Sequence, residues 1–150
     1  MLVIPFWVGQ EAYAVASADL YGVLPRPLLR SMPGGPAGLL GVFNYRGRWT
    51  PVLDAHLLLS GEHAQPALGT RILLCHTQVP DVALGLLCEK VTDALSLDPA
   101  AWSPPGVSLR DSPWLGPLQT SGGITVQRLF IPHLLTPELA AAIDSLDSPA

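Results

Sequence analysis

The two halves of this 150-residue chain resemble one another weakly, at an offset of about half its length. Each half carries a Leu-Gly pair, then a turn, then a His-Leu-Leu triplet: 40–41, 46–47 and 56–58 in the first, 115–116, 122–123 and 133–135 in the second. Upstream of these matches, residues 20–24 align with residues 91–95. Because the matches occur in the same order, they indicate two copies of one small structural unit.

Short apolar segments separated by Gly and Pro indicate that this unit is built from β-strands. The chain contains 16 Pro and 14 Gly, well above their average combined share of roughly 12%. Seven segments have the length and composition of strands: Leu2–Val8, 12–16, 42–44, 48–53, 72–75, 82–87 and 124–131. Tight turns such as Gly9-Gln10 and Arg46-Gly47 join them as hairpins. The pattern predicts small β-barrels rather than a parallel sheet with long crossover helices.

Two short helices are expected. Asp54 is a predicted N-cap for a helix over 55–59, which residues 60–61 end, because its carboxylate can accept from the free N–H groups of the first turn. Near the end of the chain, Thr136 is a second predicted N-cap, followed by Pro137. Apolar residues then recur at helical spacing: Leu139, Ile143 and Leu146. This second helix is expected to pack on the body of the protein.

The segment 96–118 contains five Pro and two Trp residues. Proline limits both helix and strand formation, so the segment is predicted to be an irregular connection across the surface. Its two aromatic side chains, Trp102 and Trp114, are expected to pack against a barrel.

Composition excludes several classes of protein. Apolar residues make up 49% of the chain and charged residues 13%, so the chain is not disordered and has either a large core or an apolar docking surface. The net charge of −4 is unsuited to a nucleic-acid partner. The longest apolar run, 1–8, is too short to span a membrane and lacks the features of a signal peptide. We therefore expect a cytoplasmic protein.

The two cysteines, Cys75 and Cys88, are expected to be free and mostly buried. In a hairpin formed by 71–77 and 82–91, their sulfur atoms would lie about four residues apart along the strands, or roughly 13 Å. A disulfide requires Cα atoms within about 7 Å. The hairpin therefore predicts two reduced thiols.

No catalytic or metal site is expected from the sequence. Asp54 is followed by His56 and His63, but no recognisable motif places a nucleophile beside them, and Asp54 is interpreted as the helix cap. The histidines are scattered without metal-ligand spacing: His56, His63, His76 and His133. We therefore predict neither enzymatic activity nor a metal or other cofactor.

A resemblance to the CheW-like family of chemotaxis coupling proteins is carried by residues 39–54, which read L-L-G-V-F-N-Y-R-G-R-W-T-P-V-L-D. The family pattern there is roughly L-L-G-V-x-N-L-R-G-x-x-x-P-V-x-D-L. Residues 85–91 are similar to its G-L-x-V-D-x-V segment. The resemblance implies an all-β fold with a few short helices, in which residues 1–150 form a single domain. Two intertwined, five-stranded SH3/OB-like barrels would enclose a groove and be followed by a C-terminal helix.

The resemblance also implies a non-catalytic function. Family members bridge the cytoplasmic tip of a chemoreceptor to the regulatory domain of a histidine kinase, in arrays attached to the membrane only through the receptors. Three positions depart from the family pattern. Gly22 stands where an acid can pair with Arg46, Phe130 replaces a second acid, and Tyr45 replaces a Leu. These changes indicate a divergent member, either for a pathway such as surface motility or biofilm control or with rebuilt contacts to its partners.

Three groups of residues are predicted to form the site. The turn at residues 46–47 is expected to be shaped by Asn44 and Gly47, the latter at positive φ, and to present Tyr45, Arg46 and Arg48 to a partner. The alternative for the two arginines is a solvated turn charge or a pair with an acid from another loop. Apolar residues at equivalent places in the two halves are candidates to line the groove, where receptor helices would bind: Val23, Leu24, Leu84 and Leu86. The alternative for most of these residues is a place in the core.

A second hypothesis is a stand-alone barrel that binds a peptide or a small molecule. In that case the tryptophans would form a stacking wall: Trp7, Trp49, Trp102 and Trp114.

Overall fold

The computed structural model describes residues 1–65, 67–105 and 112–149. The strands are β1 (Leu2–Val8), β2 (Glu11–Ala16), β3 (Leu20–Leu24), β4 (Leu39–Tyr45), β5 (Arg48–Asp54), β6 (Arg71–His76), β7 (Ala83–Cys88), β8 (Leu95–Ser96), β9 (Leu115–Ser121) and β10 (Ile124–Leu129). The helices are α1 (Ala55–Ser60) and α2 (Pro137–Asp144), with short 3₁₀ helices at Ser17–Asp19 and Ile131–Leu134.

The strands form two five-stranded sheets with the same internal arrangement. The central sheet has the order β3-β6-β7-β5-β4, and the terminal sheet has the order β8-β1-β2-β10-β9. In each sheet two antiparallel hairpins meet at one parallel pair, β5 with β7 and β10 with β2. The structure confirms the half-chain repeat and the predicted fold class, but the hairpin that completes the terminal sheet comes from the start of the chain.

The predicted hairpin turns form where the sequence places residues that tolerate positive φ. Gly9 (φ 60°) leads the turn between β1 and β2, whereas Arg46 (φ 52°) and Gly47 (φ 84°) form the turn between β4 and β5. Two consecutive positive φ values give the twist that suits a two-residue β-hairpin loop. The Oδ1 atom of Asn44 accepts from the N–H of Gly47 at 2.8 Å, which fixes this turn as predicted.

Three hydrophobic clusters hold the sheets together. The central cluster lies on one face of the central sheet and the terminal cluster on one face of the terminal sheet. A larger inter-sheet cluster is built from buried residues of both sheets and from α2. Strand β7 is buried along its whole length, because its alternate side chains enter the central cluster and the inter-sheet cluster.

This arrangement corrects the prediction for Leu84 and Leu86. Both side chains are 0% exposed and lie in the inter-sheet cluster. They were expected to line an open groove, but the facing side chains of the terminal sheet fill that space. Leu84 and Leu86 are therefore core residues, inaccessible to a partner in this structure.

Both predicted helix caps are present. A carboxylate oxygen of Asp54 accepts from the N–H of Leu57 at 3.2 Å, and Gly61 ends α1 in the left-handed conformation. The hydroxyl of Thr136 accepts from the N–H of Leu139 at 3.2 Å. Leu139 is buried in the inter-sheet cluster, so α2 packs on the body as expected.

Several predicted boundaries are wrong: strand β4, predicted over 42–44, begins at Leu39, and two further errors involve proline. The segment 96–118 was expected to be irregular, but Ser96 belongs to β8 and β9 begins at Leu115. Strand β9 can contain Pro117 because it lies at a sheet edge, where a missing N–H donor is tolerated. Residues 106–111 of the predicted connection lie outside the described residues. The strand predicted over 124–131 ends at Leu129, since a 3₁₀ helix containing Pro132 follows.

Other predictions about this part of the chain are confirmed. Trp102 packs against the terminal cluster and Trp114 against the inter-sheet cluster. Cys75 pairs with Leu84 across the β6–β7 hairpin, and both cysteines are free and buried. Among the described residues, no helix is long and apolar enough to cross a membrane.

Candidate protein-binding surface

Strand β3 forms one edge of the central sheet. It pairs with β6, and within the described residues no strand pairs with its other edge. Tyr21 and Val23 are each 44% exposed, although both are large apolar side chains. An unpaired edge that carries exposed apolar residues is a typical place for another protein to bind.

A β-bulge determines how Tyr21 is presented. Leu20 pairs with Cys75 and Gly22 with Leu74, so Tyr21 is an extra residue in the β3–β6 ladder. Bulges change the direction of a side chain. Here the Tyr21 ring lies over the exposed imidazole of His76, with ring centroids 3.7 Å apart.

The β3 edge and the β4–β5 turn meet through aromatic contacts. The rings of Tyr21 and Tyr45 have centroids 6.3 Å apart, and Tyr45 also lies 6.3 Å from Phe43. Phe43 belongs to the central cluster, so the aromatic row connects this surface to the core. The β3–turn surface is defined here as Tyr21, Val23, Tyr45, Arg46 and His76.

Arg46 is exposed at the tip of the turn, as predicted. Its guanidinium carbon lies 5.1 Å from the centroid of the Tyr45 ring, in a cation–π contact. No ion pair of Arg46 occurs among the described residues. The family pattern has an acid and a Leu where this chain has Gly22 and Tyr45, and here the guanidinium of Arg46 contacts an aromatic ring. A Cβ atom at Gly22 would meet no atom within 4 Å, so steric crowding does not explain the loss of the acid.

A small depression adjoins this surface. It has a volume of about 170 Å³ and is lined by Tyr21, His76 and the loop residues 77–81. Its position beside exposed Tyr21 gives a partner a recess next to an apolar side chain.

The remaining predicted binding residues lie in different places. Leu24 is half-buried and packs against the central cluster. Arg48 is exposed, but it lines a separate cavity beside Trp49. The structure therefore joins Tyr45 and Arg46 to the β3 edge that carries Val23, whereas Arg48, which pairs with Tyr45 across the hairpin, lines the cavity.

Sequence reasoning missed Tyr21 and His76. The alternation of β3 gives a signal for Tyr21, because it shares the exposed side of the strand with Val23. His76 becomes a neighbour only through the β3–β6 register, which includes the bulge and is not evident from the sequence.

The environment of Asp54 supports its role as a cap. The side chain is 1% exposed, and one carboxylate oxygen accepts from the N–H of Ala64 at 3.0 Å. The same oxygen lies 3.3 Å from Nδ1 of His63. These bonds tie α1 to the loop that follows it. Within the described ranges, no group of three or more His, Cys, Asp or Glu side chains is placed to hold a metal ion.

The four tryptophans do not form a common wall. Trp7 and Trp102 pack against the terminal cluster, and Trp114 packs against the inter-sheet cluster. Trp49 lies at the cavity near α2. Since their side chains belong to different parts of the molecule, the stacking wall proposed for a ligand-binding barrel is wrong.

Comparison with known proteins gives a consistent result. The sequence model of the CheW-like domain matches residues 3–136. The chain is 33% identical over 97 residues to chemotaxis protein CheW of Rhizobium meliloti (strain 1021), covering 63% of this chain and 59% of that protein. It is 30% identical over 94 residues to a probable chemotaxis protein CheW of Rhizobium etli, with the same coverage. The chain thus matches 59% of the length of these two relatives.

A solved structure shares the fold. The crystal structure of the scaffolding protein TtCheW from Thermoanaerobacter tengcongensis has a TM-score of 0.80 with this chain. The match covers 92% of this chain and 89% of TtCheW at 18% identity. The two β units described above are therefore arranged as they are in that protein.

Proposed function

Because this chain belongs to the CheW-like domain family, we propose that it is a non-catalytic adaptor in a chemotaxis-like signalling pathway. Its partners in this proposal are the cytoplasmic tip of a chemoreceptor and the regulatory domain of a histidine kinase. The protein would act in the cytoplasm, at membrane-associated receptor arrays. The departures at Gly22 and Tyr45 favour a specialised output such as surface motility or biofilm control.

The observation that carries the proposal is the β3–turn surface. It combines an open strand edge, exposed apolar side chains at Tyr21 and Val23, and an exposed guanidinium at Arg46. A strand edge suits a β-rich partner, because an added strand can use the free backbone groups. We therefore assign the kinase regulatory domain, which has the same fold in this family, to this surface.

An adaptor of this kind needs no chemistry of its own. It must bind two proteins at once, and the assembly must favour one state of the kinase over the other, since equal affinity for both states would shift nothing. Leu84 and Leu86 are buried, so the receptor helices must contact a surface other than the one that was predicted around them.

The test is binding to a purified histidine kinase regulatory domain from the same organism, measured by calorimetry. Val23→Asp and Arg46→Glu should each weaken binding about fivefold or more, because a residue important at an interface contributes more than about 1 kcal/mol. Thermal stability should change little, since both side chains are exposed.

Matched controls are available elsewhere on the chain. Ile124 is a β-branched residue that is 42% exposed on the terminal sheet, so Ile124→Asp should leave binding unchanged. Arg26 is exposed and lies outside the β4–β5 turn. Arg26→Glu is therefore the control for Arg46→Glu and should leave binding unchanged. Equal effects of Val23→Asp and Ile124→Asp would contradict the assigned surface. Absence of any kinase or receptor binding, with a small molecule retained through purification, would instead support a ligand-binding barrel.

A further inference from the structure

A cavity of about 510 Å³ lies on the side of the central sheet that faces α2. Its walls come from the start of β5, the β6–β7 loop, α2 and the segment 146–149. Many of its lining residues are apolar: Trp49, Pro51, Val82, Leu135, Ile143 and Leu146. The volume lies within the range of roughly 300–1,000 Å³ that is typical of ligand sites.

This cavity lies beside the β3–turn surface but is lined by other residues. None of the five residues that define that surface lines the cavity. Arg48 is the predicted binding residue that does so. Val79 and Asp81 line both this cavity and the small depression beside that surface, so a ligand here would lie next to the residues assigned to the kinase.

Three carboxylates line the cavity against one guanidinium. Asp81 comes from the β6–β7 loop, Asp144 from the end of α2 and Asp147 from the segment after it, whereas Arg48 comes from β5. In the described part of the chain, none of these four side chains forms an ion pair. The charged groups of the lining thus sum to −2, and the field at the opening favours a positively charged ligand.

The Trp49 side chain holds one wall of the cavity in place. Its Nε1–H donates to the backbone carbonyl of Asp147 at 2.5 Å, so the polar atom of the indole is satisfied within the protein. The guanidinium of Arg30 lies 5.3 Å from the indole ring. The bond to Asp147 holds the segment after α2 against β5, which keeps the cavity walled on that side.

We propose that this cavity binds a cationic peptide segment of a partner protein. An apolar side chain of that segment would enter the cavity, where it loses contact with water. Lys or Arg residues beside it would pair with the carboxylates of Asp81, Asp144 and Asp147. Because no three acidic, His or Cys side chains of the described residues are placed to hold a metal ion, a peptide with several positive groups suits the opening better than a single small cation does.

The experiment uses three blocked peptides and the full chain. The probe is acetyl-Leu-Leu-Lys-Arg-amide, compared with acetyl-Leu-Leu-Glu-Glu-amide and acetyl-Gly-Gly-Lys-Arg-amide. Calorimetry measures affinity, and the nuclear magnetic resonance signal of the Trp49 indole N–H reports on the site. We expect the first peptide to bind more tightly than the other two and to shift the indole signal.

A charge-removing variant tests the carboxylates. Asp144→Asn combined with Asp147→Asn should weaken binding of the first peptide about threefold or more, as expected for two exposed ion pairs. The bond from Trp49 should persist because its acceptor is the backbone carbonyl of Asp147. Glu138→Gln, on the same helix but outside the cavity lining, is the control and should have no effect.

Any of four results would overturn the proposal. The first three are no binding of the first peptide, equal binding of the acidic peptide, and equal affinity of the double variant and the unaltered protein for the first peptide. Equal binding of the Gly-Gly peptide would show surface charge attraction without insertion into the cavity, and it would also overturn the proposal.

Discussion

The side-chain amide of Gln119 forms two hydrogen bonds with the backbone of Asp98. Its Oε1 atom accepts from the N–H of Asp98 at 3.0 Å, and its Nε2 atom donates to the carbonyl of Asp98 at 2.9 Å. Gln119 lies on β9, and Asp98 follows β8 by two residues. Strands β8 and β9 are opposite edges of the terminal sheet, so this pair of bonds joins the two edges and curls the sheet into a barrel.

Replacing Gln119 should therefore destabilise the protein. Gln119→Met keeps the length of the side chain but removes both hydrogen bonds at a position that is 7% exposed. We expect a loss of about 2 kcal/mol in the free energy of unfolding, measured by urea denaturation. Gln10→Met, in the exposed β1–β2 turn, is the control and should change stability by less than about 0.5 kcal/mol. Equal losses for the two variants would contradict the closing role of Gln119.

Local signals in the sequence predicted much of the fold. The bounds of β1 match the prediction, because an apolar run ends at Gly9, whose positive φ makes the turn. The cap at Asp54 was predictable for the same reason, since it depends on residues within one helical turn. Strand β9 was missed because Pro117 argues against a strand unless the edge position is known, and that position is set by the tertiary structure.

The candidate site was less predictable than the fold. A strand pattern shows which residues share a face, but it does not show what covers that face. Leu84 and Leu86 were assigned to a groove because they occupy places equivalent to Val23 and Leu24 in the half-chain repeat, but the second sheet buries them. The contact between Tyr21 and His76 depends on a bulge in the β3–β6 pairing, which the sequence does not reveal.

Asp54 should be a more important cap than Thr136. The Asp54 carboxylate accepts from the N–H groups of Leu57 and Ala64, whereas the Thr136 hydroxyl accepts from that of Leu139. Asp54→Ala should cost about 2–3 kcal/mol in the free energy of unfolding, because it leaves a second backbone donor without its acceptor. Thr136→Ala should cost about 1 kcal/mol. Urea denaturation of both variants tests this order, which an equal or reversed pair of losses would contradict.

Truncating the side chains of Leu86 and Val23 to Ala should affect the stability of the protein differently, because Leu86 is buried and Val23 is exposed. Leu86→Ala removes a side chain that is 0% exposed and should destabilise the protein by about 2–5 kcal/mol. Val23→Ala truncates a side chain that is 44% exposed and should change stability by no more than about 0.5 kcal/mol. The measurement is thermal or chemical denaturation of each variant. A small effect for Leu86→Ala would show that this residue lines an open groove after all.

The buried thiols should make the protein less stable at alkaline pH. Burial, with a smaller contribution from Asp19, raises the pKa of Cys75 far above its ordinary value of 9.0. Burial likewise raises the pKa of Cys88, with contributions from Cys75 and Asp54. The folded protein therefore keeps both thiols protonated at a pH where the unfolded chain has lost those protons. Above about pH 9 the unfolded state binds fewer protons, so the free energy of unfolding should fall by up to about 1.4 kcal/mol per pH unit for each thiol.

Urea denaturation between about pH 7 and about pH 10 measures this slope. The variant Cys75→Ala combined with Cys88→Ala is the comparison, because it removes both titrating groups and should show a much flatter dependence on pH. The raised pKa of Tyr13, caused mainly by burial, adds a similar decline only above the ordinary tyrosine pKa of about 10. In the folded protein at neutral pH, both thiols should also resist alkylation until denaturant is added. Rapid alkylation of the native protein, or the same slope in the variant, would show that the thiols are not held protonated by the core.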